Sequence, residues 1–360
     1  MSKGKVFHQM NKSTRTNLIT IGIIVIVYIV CQIMIATGMM SNLMQGLLIP
    51  LCYYSILAVS LNLTVGILGE LSLGHAGFMC VGAFSGALFS KTMIDVIPNT
   101  FLRFTLAIII GAILAGAFGV LIGVVVLRLR GDYLAIVTLA FGEIVKNVIN
   151  VINLGIDKNG LHFSMVDATH LNLAEGGELL IGGAKGVSGT PKDSTFTVAV
   201  ILLIIVYLII SNLINSRSGR AIMAIRDNRI AAESVGIDIT KFRILAFSLS
   251  AAMAGVAGVL YSHNLSTLVA TPKNFGYNMS IMILVFVVLG GIGNIRGSII
   301  AAVVLTLLPE YLRFMSNYRM LIYAIVLIVM MIFNWNPTLI AWRKNHPINL
   351  GSLFKKKREA

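Results

Sequence analysis

The chain has 360 residues, of which 57% are hydrophobic and only 12% charged, with a net charge of +14 and a mean hydropathy of +0.90. A soluble domain carries about 25% charged residues, so a chain this apolar lacks the polar atoms to cover its own surface and needs lipid as part of its solvent. The positive charge does not point to nucleic acid. The basic residues sit in loops and tails between apolar runs, and no basic stripe with interleaved aromatics occurs.

Apolar runs predict membrane helices at 18–36, 43–66, 74–90, 104–127, 133–153, 195–214, 242–262, 278–293, 298–315 and 319–337. The first exceeds a signal-peptide core of about 7–15 residues and has no small-residue cleavage site behind it, so it reads as a retained span. The runs 74–90 and 278–293 are short and are expected as half-membrane or broken helices covered by protein. Placing the N-terminus inside puts more than twice as many basic residues on the inner segments as on the outer ones. Both tails are therefore expected in the cytoplasm. Two connections are too long for simple turns, 154–194 outside and 215–241 inside. The expected division is a tail 1–17, a membrane domain 18–337 and a basic tail 338–360. That last tail carries Lys355-Lys356-Lys357-Arg358, suited to anionic headgroups or to water. The fold class is all-α, a polytopic transmembrane helix bundle of about ten spans. Pairs of small residues at helical spacing, Gly82 and Gly86, Gly119 and Gly123, Ala251 and Gly255, predict close helix approach in lipid.

Several chemistries are excluded. Cys31, Cys52 and Cys80 lie within apolar runs and form neither a disulfide framework nor a metal spacing. The sequence has no G-x-x-x-x-G-K-[ST] loop to cradle phosphates, no G-x-S-x-G elbow and no H-E-x-x-H. His75, His162, His170 and His263 are scattered. No enzyme, metal or cofactor is expected.

Three segments carry polar chemistry. In the inner loop, residues 220–235 have helical character, with Ile222, Ile225, Arg229 and Ala232 on one face and Gly236 able to end the helix. Arg220, Arg226, Asp227, Ala231, Ala232, Glu233 and Gly236 are its candidate functional residues. Their types fit a helix docked in another protein's groove and a helix lying on headgroups equally well. In Asn62-Leu-Thr-Val-Gly66-Ile-Leu-Gly69-Glu70-Leu-Ser72-Leu-Gly74-His75, ionisable and polar side chains interrupt an apolar run. Such residues are functional candidates at membrane depth, or solvated ones in a turn between spans. Asn62, Glu70, Ser72 and His75 are the candidates here. In the run 127–145, Thr138 and Glu143 are candidates, and Glu143 and Lys146 stand at i, i+3 and are placed to pair.

These segments resemble a known family. Ala231-Ala232-Glu233-Ser-Val-Gly236, with Ala224-Ile225-Arg226-Asp227-Asn228 ahead of it, resembles the E-A-A loop of ABC importer permeases in its branched-chain amino acid form. The stretch 61–78 resembles that family's N-L-x-x-G-x-x-G-x-L-S-x-G-H-A-x-F, and 127–143 its L-R-x-R-G-x-Y-x-A-I-x-T-L-x-F-x-E. Outside, Gly182-Gly183-Ala-Lys-Gly186-Val is similar to T-G-G-x-x-G-[IV], with Ile181 in place of the threonine. Gly290-Gly291-Ile-Gly293-Asn294-Ile-Arg-Gly297 is similar to G-G-x-G-[ST]-x-x-G, with Asn294 at the hydroxyl position. Gly183 and Gly186 join the candidate pathway residues on this ground.

The resemblance implies a permease subunit of a bacterial-type cell membrane. Its expected partners are a second permease, two ATPase subunits that bind the ATP, and a soluble substrate-binding protein. The expected cargo is leucine, isoleucine or valine. Urea and short-amide permeases share the motifs. A different class, an ion-coupled secondary carrier using Glu70, Glu143 and Lys146, also accounts for the intramembrane charges but gives the 220–238 segment no task.

Overall fold

The computed structural model describes residues 12–126, 131–157, 160–166, 171, 177–312 and 318–335. The C-terminal basic tail, most of the N-terminal tail, Arg128, Arg130 and His170 lie outside the described residues. The chain divides into two compact units, residues 1–306 and 307–360.

A helix stands at each of the ten predicted runs. In chain order these are α1 (Lys12–Ala36), α2 (Asn42–Asn62) continued by a π-helix (Leu63–Leu68), α3 (His75–Thr92), α4 (Thr100–Val126) and α5 (Asp132–Val151). After a long loop come α6 (Phe196–Asn215), the short α7 (Arg217–Asp227) and α8 (Arg229–Ser234), and α9 (Ile239–Ser262). They are followed by α10 (Pro272–Phe275), α11 (Tyr277–Gly290), α12 (Ile295–Tyr311) and, in the second unit, α13 (Arg319–Trp335). Among the described residues, seven spans are long and apolar enough to cross a membrane unaided: α1, α2 with its π-turn, α4, α5, α6, α9, and α10 with α11. The chain is a membrane protein. The other three predicted runs fold as shorter helices, α3 with 18 residues and α12 and α13 with 17 each, near the lower limit for crossing about 30 Å of hydrocarbon.

Helix ends follow local chemistry. Ser41, Thr195, Ser216, Asn228 and Asp238 each cap a helix by accepting a backbone N–H with the side chain. The run at 278–293 folds as the continuous α11, and the interruption lies just before it, where Gly276 separates α10 from α11.

The core is the crossing of α9 with α3 and α4, and the predicted small-residue faces build it. A Cβ added at Gly82 would lie 2.4 Å from Gly255 Cα, and one at Gly258 would lie 2.1 Å from Met79 O. One at Gly119 would lie 2.6 Å from Ala251 Cβ. Lipid supplies little hydrophobic drive between helices, so backbone contact of this kind is what holds them. Opposite this core, α1 and one face of α4 are lined with exposed isoleucine, valine and leucine, the surface a bilayer would cover.

The loop between α5 and α6 adds something the helical pattern did not reveal. It folds into a three-stranded antiparallel sheet, β2-β1-β3, of β1 (Asn153–Asp157), β2 (Gly160–Ser164) and β3 (Glu178–Gly182). A second pair, β4 (Val187–Ser188) with β5 (Thr267–Leu268), ties that loop to the turn after α9. The short strands are poor in the periodicity that marks long ones.

Candidate functional site

The first polar cluster is the break between α2 and α3. The π-helix ends at Gly69 (φ +79°), and the Gly69 and Glu70 N–H groups both donate to Thr64 O. Residues 69–74 are non-helical until His75 begins α3. Irregular backbone at this depth must be covered by protein, and three helices cover it. Thr138 Oγ1 of α5 accepts from Leu73 N at 3.0 Å. Ser280 Oγ of α11 accepts from Ala76 N at 3.1 Å. Ser250 Oγ of α9 donates to Ser60 O at 2.6 Å. His75 is buried, and its Nε2 lies 2.7 Å from Ser60 Oγ, so it is no solvated turn residue. Ser72 Oγ and Glu70 Oε2 are buried with no hydrogen-bond partner among the described residues, two unsatisfied polar atoms in the break. Glu70 pairs with Arg243 of α9. Burial pushes the Glu70 carboxyl above its usual range, against the opposing pull of Arg243.

The second cluster joins that break to the glycine segment before α12. Asn62 Oδ1 accepts from Gly293 N at 2.8 Å, and Asn62 Nδ2 donates to Ser298 Oγ at 2.8 Å. A Cβ on Gly66 would lie 2.3 Å from Gly293 N, and one on Gly290 would lie 2.4 Å from Gly297 C. Asn294, which departs from the resemblance's Ser or Thr, still caps α12, accepting from Gly297 N at 3.3 Å.

The third cluster is the loop between α6 and α9. The single helix predicted over 220–235 is two helices, α7 and α8, because Asn228 leaves the helical conformation (φ −155°) and its side chain caps α8 at Ala231 N. Ile222, Ile225 and Ala232 are buried as the helical face predicts. Ile225 and Ala232 pack with Ile239. Arg229, expected on that face, is exposed, since the break at Asn228 resets the register. Gly236 ends the segment at φ +82°. Arg220 Nη1 donates back to Asn215 O at 3.3 Å, while Glu233 and Asp227 are exposed. Ile230 and Val235 stand 81% and 75% exposed beside them. Arg226 turns the other way, donating through Nη1 to Gly66 O at 3.0 Å. A polar groove of about 610 Å³ lies between loop and break, lined by Glu70, Arg226, Asp227, Arg229, Glu233 and Arg243 among others.

Of the remaining candidates, Gly183 and Gly186 lie in the loop between α5 and α6, and Glu143 lies in α5 beside Gly142, which packs on Gly74 and Gly77. Glu143 pairs with Lys146, as their spacing predicts, and Glu143 Oε1 accepts from Tyr277 N at 2.8 Å. That bond places a carboxylate on the positive N-terminus of α11. Gly183 (φ +52°) and Gly186 (φ +70°) shape the turn after β3, and a Cβ on Gly186 would fall 1.9 Å from Leu268 O. Ile181, in place of the threonine, is buried in β3.

The candidates therefore do not converge on one chamber. Asn62, Glu70 and the loop between α6 and α9 meet at one end. Ser72, His75 and Thr138 form the break, Glu143 marks the α10–α11 interruption, and Gly183 and Gly186 belong to the sheet. The buried serines Ser60, Ser250, Ser280 and Ser298, which hold the break, were missed. Hydroxyls recurring inside apolar spans were the available signal.

The same residues carry a family signature. The family model described as branched-chain amino acid transport system / permease component matches residues 43–333. The chain belongs to this family. A high-affinity branched-chain amino acid transport system permease protein, LivM, of Salmonella typhimurium is 35% identical over 79% of this chain. The chain spans 66% of that relative's length, just under two thirds. A probable branched-chain amino acid transport permease protein LivM of Methanocaldococcus jannaschii is 26% identical over 78% of this chain and 86% of its own. An autoinducer 2 import system permease protein, LsrC, of Yersinia pseudotuberculosis is 30% identical over 46% of this chain and 51% of its own. No solved structure matches the chain.

Proposed function

We propose that the chain is the membrane-spanning subunit of an ATP-driven importer for leucine, isoleucine and valine, with both tails in the cytoplasm. ATP is bound and hydrolysed by two separate subunits. A second permease completes the pathway, and a soluble protein delivers the amino acid to the sheet-bearing side. The observation that carries this reading is the inner loop. Its buried face (Ile222, Ile225, Ala232) anchors it to the bundle, while Ile230 and Val235 stand open to water among Arg229 and Glu233. Exposed apolar side chains ringed by charge, on a rigid helix pair, fit docking into a partner's groove. Nucleotide binding in the partner would then shift the bundle between inward-open and outward-open populations.

The family signature over residues 43–333 and the LivM relatives support the cargo. The break at 69–74, the α10–α11 interruption and the sheet turn at Gly183–Gly186 are the pathway segments in this proposal. Uptake of labelled leucine, isoleucine and valine into proteoliposomes holding the whole complex tests it. Uptake must require ATP on the loop side and must compete among the three. Transport of urea or a short amide instead would replace the cargo. Transport by this chain alone on a proton or sodium gradient would end the reading.

A further inference from the structure

Arg226 stands in the loop among the docking candidates and is exposed, yet its guanidinium reaches toward the α2 π-helix. Nη1 donates to Gly66 O at 3.0 Å, while Nε and Nη2 are both held by Asp227 Oδ1 at 3.0 and 2.9 Å. Gly66 lies in the last turn of the π-helix. Backbone carbonyls there have no helical partner and form the negative end of the helix dipole. A cation from another element thus caps this helix, and the planar fork gives the cap a fixed direction. Gly69 is shaped to it as well. It holds φ +79°, and a Cβ there would lie 2.5 Å from Arg226 Cγ. From Gly66 the contact continues without a gap: Gly66 rests on the backbone of Gly293, and Gly293 N and Ser298 Oγ are bonded to Asn62. Beyond the loop, Arg243 of α9 pairs with Glu70 in the same break.

We propose that Arg226 is a positioning residue of transport, a latch that carries movement of α7 into the α2 π-helix and through Asn62 and Gly293 into α12. It acts inside the permease and makes no docking contact with the ATPase. Asp227 sets its direction. This rests on the importer reading above, and it names the route by which force leaves the loop. A rigid helix pair anchored only by apolar packing would slide on the bundle. A charge-assisted bond to a helix-end carbonyl is short and directional and transmits displacement.

The test uses the assembled complex in proteoliposomes, measuring amino acid uptake and ATP hydrolysis side by side, and amide hydrogen exchange of residues 64–70 in the purified chain. Arg226→Ala is expected to lower uptake per ATP hydrolysed about tenfold, with the ATPases still bound and hydrolysis within about twofold of wild type. The Gly69 and Glu70 amides are expected to exchange about tenfold faster. Arg226→Lys, which keeps the charge and loses the fork, is expected to fall between. Arg217→Ala, on the same helix and exposed, is expected to match wild type in every readout. Loss of ATPase binding in Arg226→Ala would make Arg226 a docking contact and overturn the proposal. An unchanged uptake-to-ATP ratio with unchanged exchange would also overturn it. Wild-type complex showing no ATP-driven uptake would instead defeat the importer reading, and the exchange data would still decide whether the latch exists.

Discussion

The two long loops connect neighbouring helices of one bundle and are built in opposite ways. The loop between α5 and α6 is stitched to the helices by backbone and buried charge. Its strands pair with one another and with β5, Lys91 reaches Leu179 O at 2.7 Å and Glu178 at 3.0 Å, and Arg103 pairs with Asp193 at 2.9 Å. The loop between α6 and α9 is attached by three buried apolar side chains, Ile222, Ile225 and Ala232, and by Arg226 on Gly66 O. Many distributed bonds make a part that moves with the bundle. A few directional ones make a part that can be pushed. The difference in construction is the reason to assign delivery of cargo to one end and input of force to the other.

Substitutions at the two ends should separate these behaviours. The largest effect is expected at the pushed end: Glu233→Lys or Gly236→Trp should abolish ATP-driven uptake in the assembled complex. Membrane insertion, followed by protease protection, should be unchanged. Nothing lies within 4 Å of a Cβ at Gly236, so the local fold meets only the strain of φ +82°, about 1–3 kcal/mol. Gly186→Val supplies the contrast. Its φ of +70° is similar, but its Cβ would overlap Leu268 O, so strain and overlap together should cost about 3–5 kcal/mol. Thermal denaturation of the purified chain would register it, and equal losses at Gly186 and Gly236 would break the comparison. Glu70→Ala takes the carboxylate from a buried arginine and should destabilise the chain by about 3 kcal/mol. Because burial already raises the Glu70 pKa, Glu70→Gln should cost clearly less than Glu70→Ala. Asn294→Ala removes only a cap and should cost about 1 kcal/mol, with Asn294→Ser restoring most of it.

Much of this was legible in the sequence. Each of the ten apolar runs holds a helix, and the small-residue spacings Gly82/Gly86 and Ala251/Gly255 named the faces that meet. Glu143 and Lys146 paired as i, i+3 geometry requires. What was lost depended on contacts far apart in the chain or on one residue's dihedral. Asn228 reads as an ordinary polar position in a helix, and only its φ of −155° turns one helix into two. The sheet in the loop between α5 and α6 rests on strands of five residues or fewer, too short for periodicity to speak. Arg226 and Gly66 are 160 positions apart, so nothing local tells an arginine facing a partner from one facing its own chain. Asn294 shows the reverse: a departure from the motif that keeps its physics, because asparagine caps a helix as well as serine does.

The proposed importer requires the loop between α6 and α9 to meet a separate ATPase, and the exposed Ile230 gives direct access to that contact. With Ile230→Cys labelled by a photoactivatable benzophenone in the assembled complex, illumination should join this chain to an ATPase subunit. The yield should change when ATP is bound and the loop moves. Adducts to lipid alone, with the same yield with and without ATP, would mean that α7 and α8 lie on headgroups and that no force enters there.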